Sequence, residues 1–312
     1  MSRASSLPLG LLAGGLSVLI GVGWQVATRL GTTTTLAPID LALFRYGVPA
    51  LALAPLWLRS GLLPAGVARG AVALMVLGAG LPFGLAAMAG AAFAPTAHMA
   101  VLLPGTMPLF VALLAWAVLG ERPVPRRFVG LGLILVGIVA IGLPALADRS
   151  DGAWRGDLLF LAAALLWAVY TVAYRRSRMA PWTSAAVVAG WSGLAVGPVW
   201  LLAGEGRLAT APLADVALQF VMQGLVAGLG GLGIYALAVR HLGATRAAAS
   251  GALVPPAAAL AGWLVLGERP DGATLLGAVA ATLGVALAAT PGRDQPPAPK
   301  LRPGMESSSA RV

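Results

Sequence analysis

The sequence predicts an all-α polytopic membrane protein, with ten transmembrane helices arranged as two inverted five-helix repeats. Three observations predict it. The 312 residues are 59% hydrophobic and only 10% charged, with a mean hydropathy of +0.87, whereas a water-facing surface needs about a quarter of its residues charged. Apolar runs of membrane-spanning length recur from end to end. And nearly the same segment is written twice, "AWAVLGERP" from Ala115 to Pro123 and "GWLVLGERP" from Gly262 to Pro270.

A hydrocarbon core of about 30 Å needs roughly 20 apolar residues per helix. The first span, 7–27, follows Arg3. No small-residue cleavage site closes it and nine more spans follow, so a retained helix rather than a signal peptide is expected. The second, 37–58, opens at Pro38 and Asp40 and stops before Arg59. The third, 69–90, starts at Arg69, and the fourth, 95–119, stops at Gly120. The fifth, 128–146, follows Arg126 and Arg127. The sixth, 156–175, ends in Arg175 and Arg176, and the seventh, 184–203, ends at Gly204. The eighth, 216–238, stops before Arg240. The ninth, 243–266, ends at Gly267, and the tenth, 272–290, runs to the polar tail. The first repeat is then 7–146 and the second 155–290. The tail 291–312 is rich in Pro and Ser and too polar to bury a core, so it is expected to be disordered and cytoplasmic.

A net charge of +10 suggests nucleic acid in a soluble domain, but here the basic residues occupy short gaps between apolar runs and set orientation instead. No nucleic-acid partner is expected. One side collects 15 Lys and Arg (Arg3, Arg59, Arg69, Arg122, Arg126, Arg127, Arg175, Arg176, Arg178, Arg240, Arg246, Arg293, Lys300, Arg302, Arg311) against 5 on the other (Arg29, Arg149, Arg155, Arg207, Arg269). The positive-inside rule puts both termini in the cytoplasm, as an even number of spans requires. The expected location is integral to a plasma membrane, the inner membrane of a bacterium. There is no cysteine, which excludes disulfides, thiolate nucleophiles and Cys-based metal sites, and no asparagine, which excludes N-glycosylation.

At a constant offset of 147, ten of the sixteen positions from Pro108 to Pro123 recur from Pro255 to Pro270. The same offset carries Gly130 onto Gly277, Gly137 onto Gly284, Gly84 onto Gly231 and Ala100 onto Ala247. Because five spans are an odd number, the second copy enters from the opposite side. One "LGERP" turn therefore faces the cytoplasm, followed by Arg126 and Arg127, and the other faces away, followed by Asp271. Gly120 and Gly267 suit a left-handed helix end, and Pro123 and Pro270 cannot continue it. Glu121 and Glu268 are expected near the start of the next helix, where the dipole favours an acid.

Two five-helix copies, each with Pro in the fourth helix, then "LGE", then a fifth helix carrying Gly130 and Gly137 or Gly277 and Gly284, resemble the EamA family of the drug/metabolite transporter superfamily. The likeness runs from about Leu7 to Thr290. It implies an inverted five-plus-five bundle, a central cavity between the halves, and export of small organic metabolites such as amino acids.

Independently of that likeness, inverted repeats give two near-equivalent packings that open a shared site to either side in turn. Pro104, Pro108, Pro255 and Pro256 each remove a backbone donor, and the freed carbonyls are tolerated in lipid only against protein or a wet cavity. Those stretches are expected to border the cavity or to kink for packing. Candidate substrate-binding residues are the polar and aromatic ones stranded in spans: Trp24, Gln25, His98, Met107, Trp167, Tyr170, Tyr174, Gln223, Tyr235 and Ser250. Interfacial belts and interhelical hydrogen bonding explain the same residue types. Arg45, about nine residues into its span, is a functional candidate by default because of the cost of a charge at that depth. Asp40 is about 140° away around the helix and is no simple ion-pair partner. Arg45 suits a substrate carboxylate, a helix carbonyl or a gate. His98, the only histidine within a span, suits a proton relay or a satisfied core position. Proton coupling stays open.

No metal-ligating or catalytic constellation is visible, so neither enzyme activity nor a cofactor or metal is expected. "GLGGLG", Gly228 to Gly233, satisfies a nucleotide-binding spacing but lies in a span without a preceding strand, and suits close helix packing instead. No ring of polar pore residues marks a channel. The sequence therefore points to a secondary transporter of small organic metabolites working by alternating access, amino acids or related amphipathic compounds leading. Uptake, exchange of sugar-linked metabolites and channel activity are the alternatives.

Overall fold

The computed structural model describes residues 7–121 and 125–289, so the tail at 291–312 lies outside the described residues. Those residues fold entirely as helices joined by short turns, with no strand among them. The elements are α1 (Leu7–Thr33), α2 (Pro38–Ala52), α3 (Ala54–Ser60), α4 (Arg69–Ala79), α5 (Leu81–Phe93), α6 (Thr96–Leu102), α7 (Met107–Leu119), α8 (Pro125–Ala147), α9 (Ala153–Ser177), α10 (Pro181–Ala203), α11 (Leu213–Gln219), α12 (Gly231–Leu242), α13 (Ala244–Ser250), α14 (Val254–Leu266) and α15 (Gly272–Ala288). A π-helical segment, Phe220–Gly230, joins α11 to α12, and a 3-10 turn, Gly251–Leu253, joins α13 to α14.

Seven helical runs among the described residues are long and apolar enough to cross a bilayer, or eight if the bent pair α2 and α3 counts as one. Gly251–Leu266 and Gly272–Ala288 are apolar but shorter. This is a polytopic membrane protein. Large side chains such as Leu12, Leu19, Leu202 and Leu264 point outward, as lipid in place of water allows.

Proline and glycine set the breaks. The span expected at 37–58 turns by 66° between α2 and α3, where Pro49 and Pro55 both lack the N–H that would continue the ladder. The expected run 69–90 breaks at Gly80, ahead of Pro82. Its freed groups find partners on two other helices: Tyr46 Oη donates to the Gly80 carbonyl at 2.6 Å, and the Leu81 N–H donates to Ser192 Oγ at 3.2 Å. Such outside satisfaction is what a broken helix in lipid requires. Between α6 and α7, Pro104 opens a turn in which Thr106 Oγ1 donates back to the Leu102 carbonyl at 2.7 Å.

The expected helix 216–238 differs from a regular α-helix by its π-helical middle. There Gly224 lies against Val48 and Gly228 against Pro49, so the glycines do serve close packing. Gly233, the last of "GLGGLG", has open space beside it.

The principal packings are α8 on α15, α2 on α10 and on the π segment, α9 on both α4 and α5, and α1 on α12. Glycines make the α8–α15 seam. A β-carbon at Gly130 would stand 2.7 Å from the Gly284 carbonyl, and one at Gly284 would stand 2.7 Å from that of Gly130. Gly137 faces the Gly277 carbonyl at 3.1 Å and is faced by it in turn at 3.3 Å. No larger residue permits backbones this close.

Candidate functional site

The core between the helices brings several of the expected residues together. Trp24, Phe83, Leu102, Leu103 and Phe160 form one buried apolar cluster, with Met107 and Trp167 packed against it. Pro104 and Pro108 therefore flank this cluster.

A polar network runs along one side of it. Trp24 Nε1 donates to Gln223 Oε1 at 2.8 Å, and Gln223 Nε2 donates to Thr28 Oγ1 at 3.0 Å and to Gln219 Oε1 at 3.1 Å. Gln219 Nε2 reaches the Ala27 carbonyl at 2.6 Å. The glutamines thus fasten the π segment and α11 to α1, and all of these groups are buried. Gln25 donates to the Gly21 carbonyl at 3.3 Å, while its Oε1 is buried with no partner among the described residues.

Arg45 brings a charge to this region. Its guanidinium lies 5.4 Å from the Trp24 ring centre, within cation–π reach. Its Nη1 is buried without a partner among the described residues. Asp40 does not serve it: the Asp40 carboxylate accepts from the Ala37 N–H at 2.9 Å, from Trp200 Nε1 at 2.6 Å and from the Arg207 N–H at 2.9 Å. The acid at the helix start is fully used there, as expected from the sequence.

An aromatic row continues from the cluster: Phe83 to Trp167 at 5.1 Å between ring centres, Trp167 to Tyr170 at 5.3 Å, and Tyr170 to Tyr174 at 5.8 Å. Two candidates stand elsewhere. Tyr235 is 45% exposed on α12, and Ser250 donates to the Ala247 carbonyl at 2.7 Å within α13.

His98 lies apart from Trp24 and Arg45, in a recess of about 440 Å³ lined by Arg29, His98, Ala259, Glu268, Asp271 and Thr274 among others. His98 Nδ1 is 2.8 Å from Asp157 Oδ1, and its Nε2 is 3.5 Å from Thr274 Oγ1. Asp157 Oδ2 is buried and unpartnered among the described residues. In the same recess Arg29 Nε donates to Glu268 Oε1 at 2.7 Å, and Arg29 Nη1 donates to the Ala91 carbonyl at 2.8 Å. Sequence reasoning counted Arg29 only among the charges that set orientation and gave Asp157 no role. The spacing of Arg29 to Arg175, 146 residues, was the available signal.

The repeated turn behaves partly as expected. Gly120 and Gly267 close α7 and α14 at φ 69° and 72°, a conformation open to glycine at no steric cost. Their glutamates bond to distant elements. Glu268 Oε2 accepts from the Thr96 N–H at 2.9 Å, at the start of α6 and far away in sequence, while Asp271 caps α15 by accepting from the Thr274 N–H at 2.7 Å. Glu121 is forked by Arg175, at 2.5 Å and 3.3 Å.

Comparison with known proteins agrees with this architecture. The chain matches the EamA-like transporter family twice, over residues 8–143 and 154–290. A protein of Streptantibioticus cattleyicolor described as a probable terminal-alkyne amino-acid exporter is 32% identical over 211 residues, 63% of this chain and 69% of that one. A solved crystal structure covers 92% of this chain and 98% of its own at 21% identity, with a TM-score of 0.59. That likeness is one of fold.

Proposed function

The chain belongs to the EamA-like transporter family, and on that premise we propose that it exports small amphipathic carboxylates, amino acids or close relatives, by alternating access. The observation that carries the substrate class is Arg45. A guanidinium stacked on Trp24 with an unpartnered buried Nη1 has a planar fork free for a carboxylate. Met107, Phe83 and Trp167 beside Trp24 supply an apolar wall for the rest of the molecule. The amino-acid exporter among the relatives points the same way.

Alternating access follows from reading the chain as ten spans in two inverted copies. The α8–α15 seam supports that reading. At an offset of 147, exchanging the copies turns the pair Gly130 with Gly284 into Gly277 with Gly137, and both pairs are formed. Two equivalent helices touching reciprocally and antiparallel are what an inverted two-fold demands. The packing of α1 on α12 and of α9 on α5 is reciprocal in the same sense.

Reconstitution in liposomes tests the proposal. Labelled amino acids with apolar side chains are expected to be carried saturably and competed by one another, but not by their methyl esters. Arg45→Lys keeps the charge and loses the fork, so it should weaken transport about tenfold, the equivalent of one charge-assisted hydrogen bond. Equal competition by esters, or unchanged transport by Arg45→Lys, would overturn carboxylate recognition.

A further inference from the structure

We infer that Glu121 with Arg175 and Glu268 with Arg29 are two gate latches, one at each end of the transporter, which part in alternation as the cavity opens to one side and then the other. The inference rests on the alternating-access reading above and adds the residues that control it.

The first support is position. The two glutamates are 147 residues apart in the repeated segment, and the two arginines are 146 apart, near the C-terminal ends of α1 and α9. Each bond crosses between the halves: an arginine of the first copy holds a glutamate of the second, and an arginine of the second holds a glutamate of the first. A bond within one half survives any rocking of the halves. A bond between them does not.

The second support is construction. Each glutamate follows directly on a left-handed glycine, and its own N–H returns to the helix just ended, Glu121 to the Ala115 carbonyl at 3.3 Å and Glu268 to the Gly262 carbonyl at 3.2 Å. The carboxylate is thereby held at a fixed place on a closed turn. Both pairs are formed at once here.

The two ends are not equal. The Arg29–Glu268 side chains are 18% exposed, those of Arg175 and Glu121 about 45%. Glu268 also holds the start of α6 through Thr96, Arg29 also holds the end of α5 through Ala91, and His98 joins Asp157 across the halves nearby. The positions equivalent to His98 and Asp157 are Thr245 and Gly10, which cannot form such a pair. The Glu268 end is therefore the harder one to open.

The chain lacks cysteine, so single cysteines report accessibility in the otherwise native protein. Ala112→Cys and Ala259→Cys occupy equivalent buried positions, the second in the recess. Reaction with a membrane-impermeant maleimide is read from each side of inside-out and right-side-out vesicles. Glu268→Gln should raise labelling of the cysteine at 259 about tenfold and leave that at 112 unchanged or lower, and Glu121→Gln should do the reverse. Reversing the inner pair, Arg175→Glu with Glu121→Arg, should restore protection. Should Glu268→Gln fail to fold, Arg29→Gln, which removes the other charge of the pair, serves the same end. Equal loosening of both ends by either variant, or no change at either, would overturn the latches. The readout needs no substrate, so a failed transport assay sinks the export proposal without touching this one, and intact transport with undirected labelling sinks this one alone.

Discussion

Trp24 shows how one side chain serves two neighbours. Its ring faces the Arg45 guanidinium and its Nε1 donates to Gln223. Trp24→Phe keeps an aromatic face but leaves Gln223 Oε1 buried without its donor. A loss of about 1 kcal/mol is expected, seen as a lower unfolding temperature in detergent with the transport of carboxylates weakened less than by Arg45→Lys. An unchanged melting curve would mean that Gln223 finds another donor. At Asp271 the charge itself is the cap. The hydrogen bonds from the Thr274 side chain and N–H hold its carboxyl below the usual carboxylate range, so its stabilisation is present at neutral pH and is lost only as pH falls through that lowered value. Asp271→Ala should therefore cost about 0.5–2 kcal/mol. The cost should be the same at about pH 5 and about pH 8; a difference that vanished at the lower value would contradict a depressed carboxyl.

Among the elements, α8 and α15 depend most on residues without side chains. Gly130→Ala would place its β-carbon 2.7 Å from the Gly284 carbonyl and 2.8 Å from the Ala288 nitrogen, and should destabilise by about 1–3 kcal/mol. Gly132→Ala, one turn face away with open space beside it, should leave thermal stability unchanged or raise it by up to about 1 kcal/mol through helix propensity. Comparing the two unfolding temperatures separates packing from propensity. This seam was legible in the sequence, because its four glycines recur at the offset that carries the "LGERP" turn. So were α7 and α14, whose bounds, Met107–Leu119 and Val254–Leu266, differ by that same 147. The π segment was not legible, since a run such as "FVMQGLVAGLG" is apolar at any helical period and only the approach of Val48 and Pro49 selects the wider turn. Nor were the ionic partners of the site. His98 and Asp157 are 59 residues apart and Arg29 and Glu268 are 239 apart, and no local pattern tells one charge which other it will meet. Among the aromatic candidates, Trp24 and Trp167 meet in one buried cluster and Trp167 packs on Tyr170, while Tyr235 is 45% exposed.

At the scale of the molecule the inverted reading makes a topological prediction. A reporter enzyme active only outside the cytoplasm, fused after Val312, should be silent, and the same reporter placed after Ser150 should be active, because the 148–152 turn would lie on the outer side. Activity at the C-terminus would remove a span from the count and with it the inversion. The unequal exposure of the two charged pairs has a further consequence. Ions weaken attraction between groups in water over a Debye length of about 8 Å at physiological strength and reach sheltered groups far less. Arg175 and Glu121, about 45% exposed, will feel dissolved salt more than Arg29 and Glu268, which are 18% exposed. If the two pairs close opposite ends as inferred above, the transporter responds more to the ionic strength of one compartment than to that of the other. Raising salt on the Arg175 side should change the turnover rate more than the same concentration on the other side does.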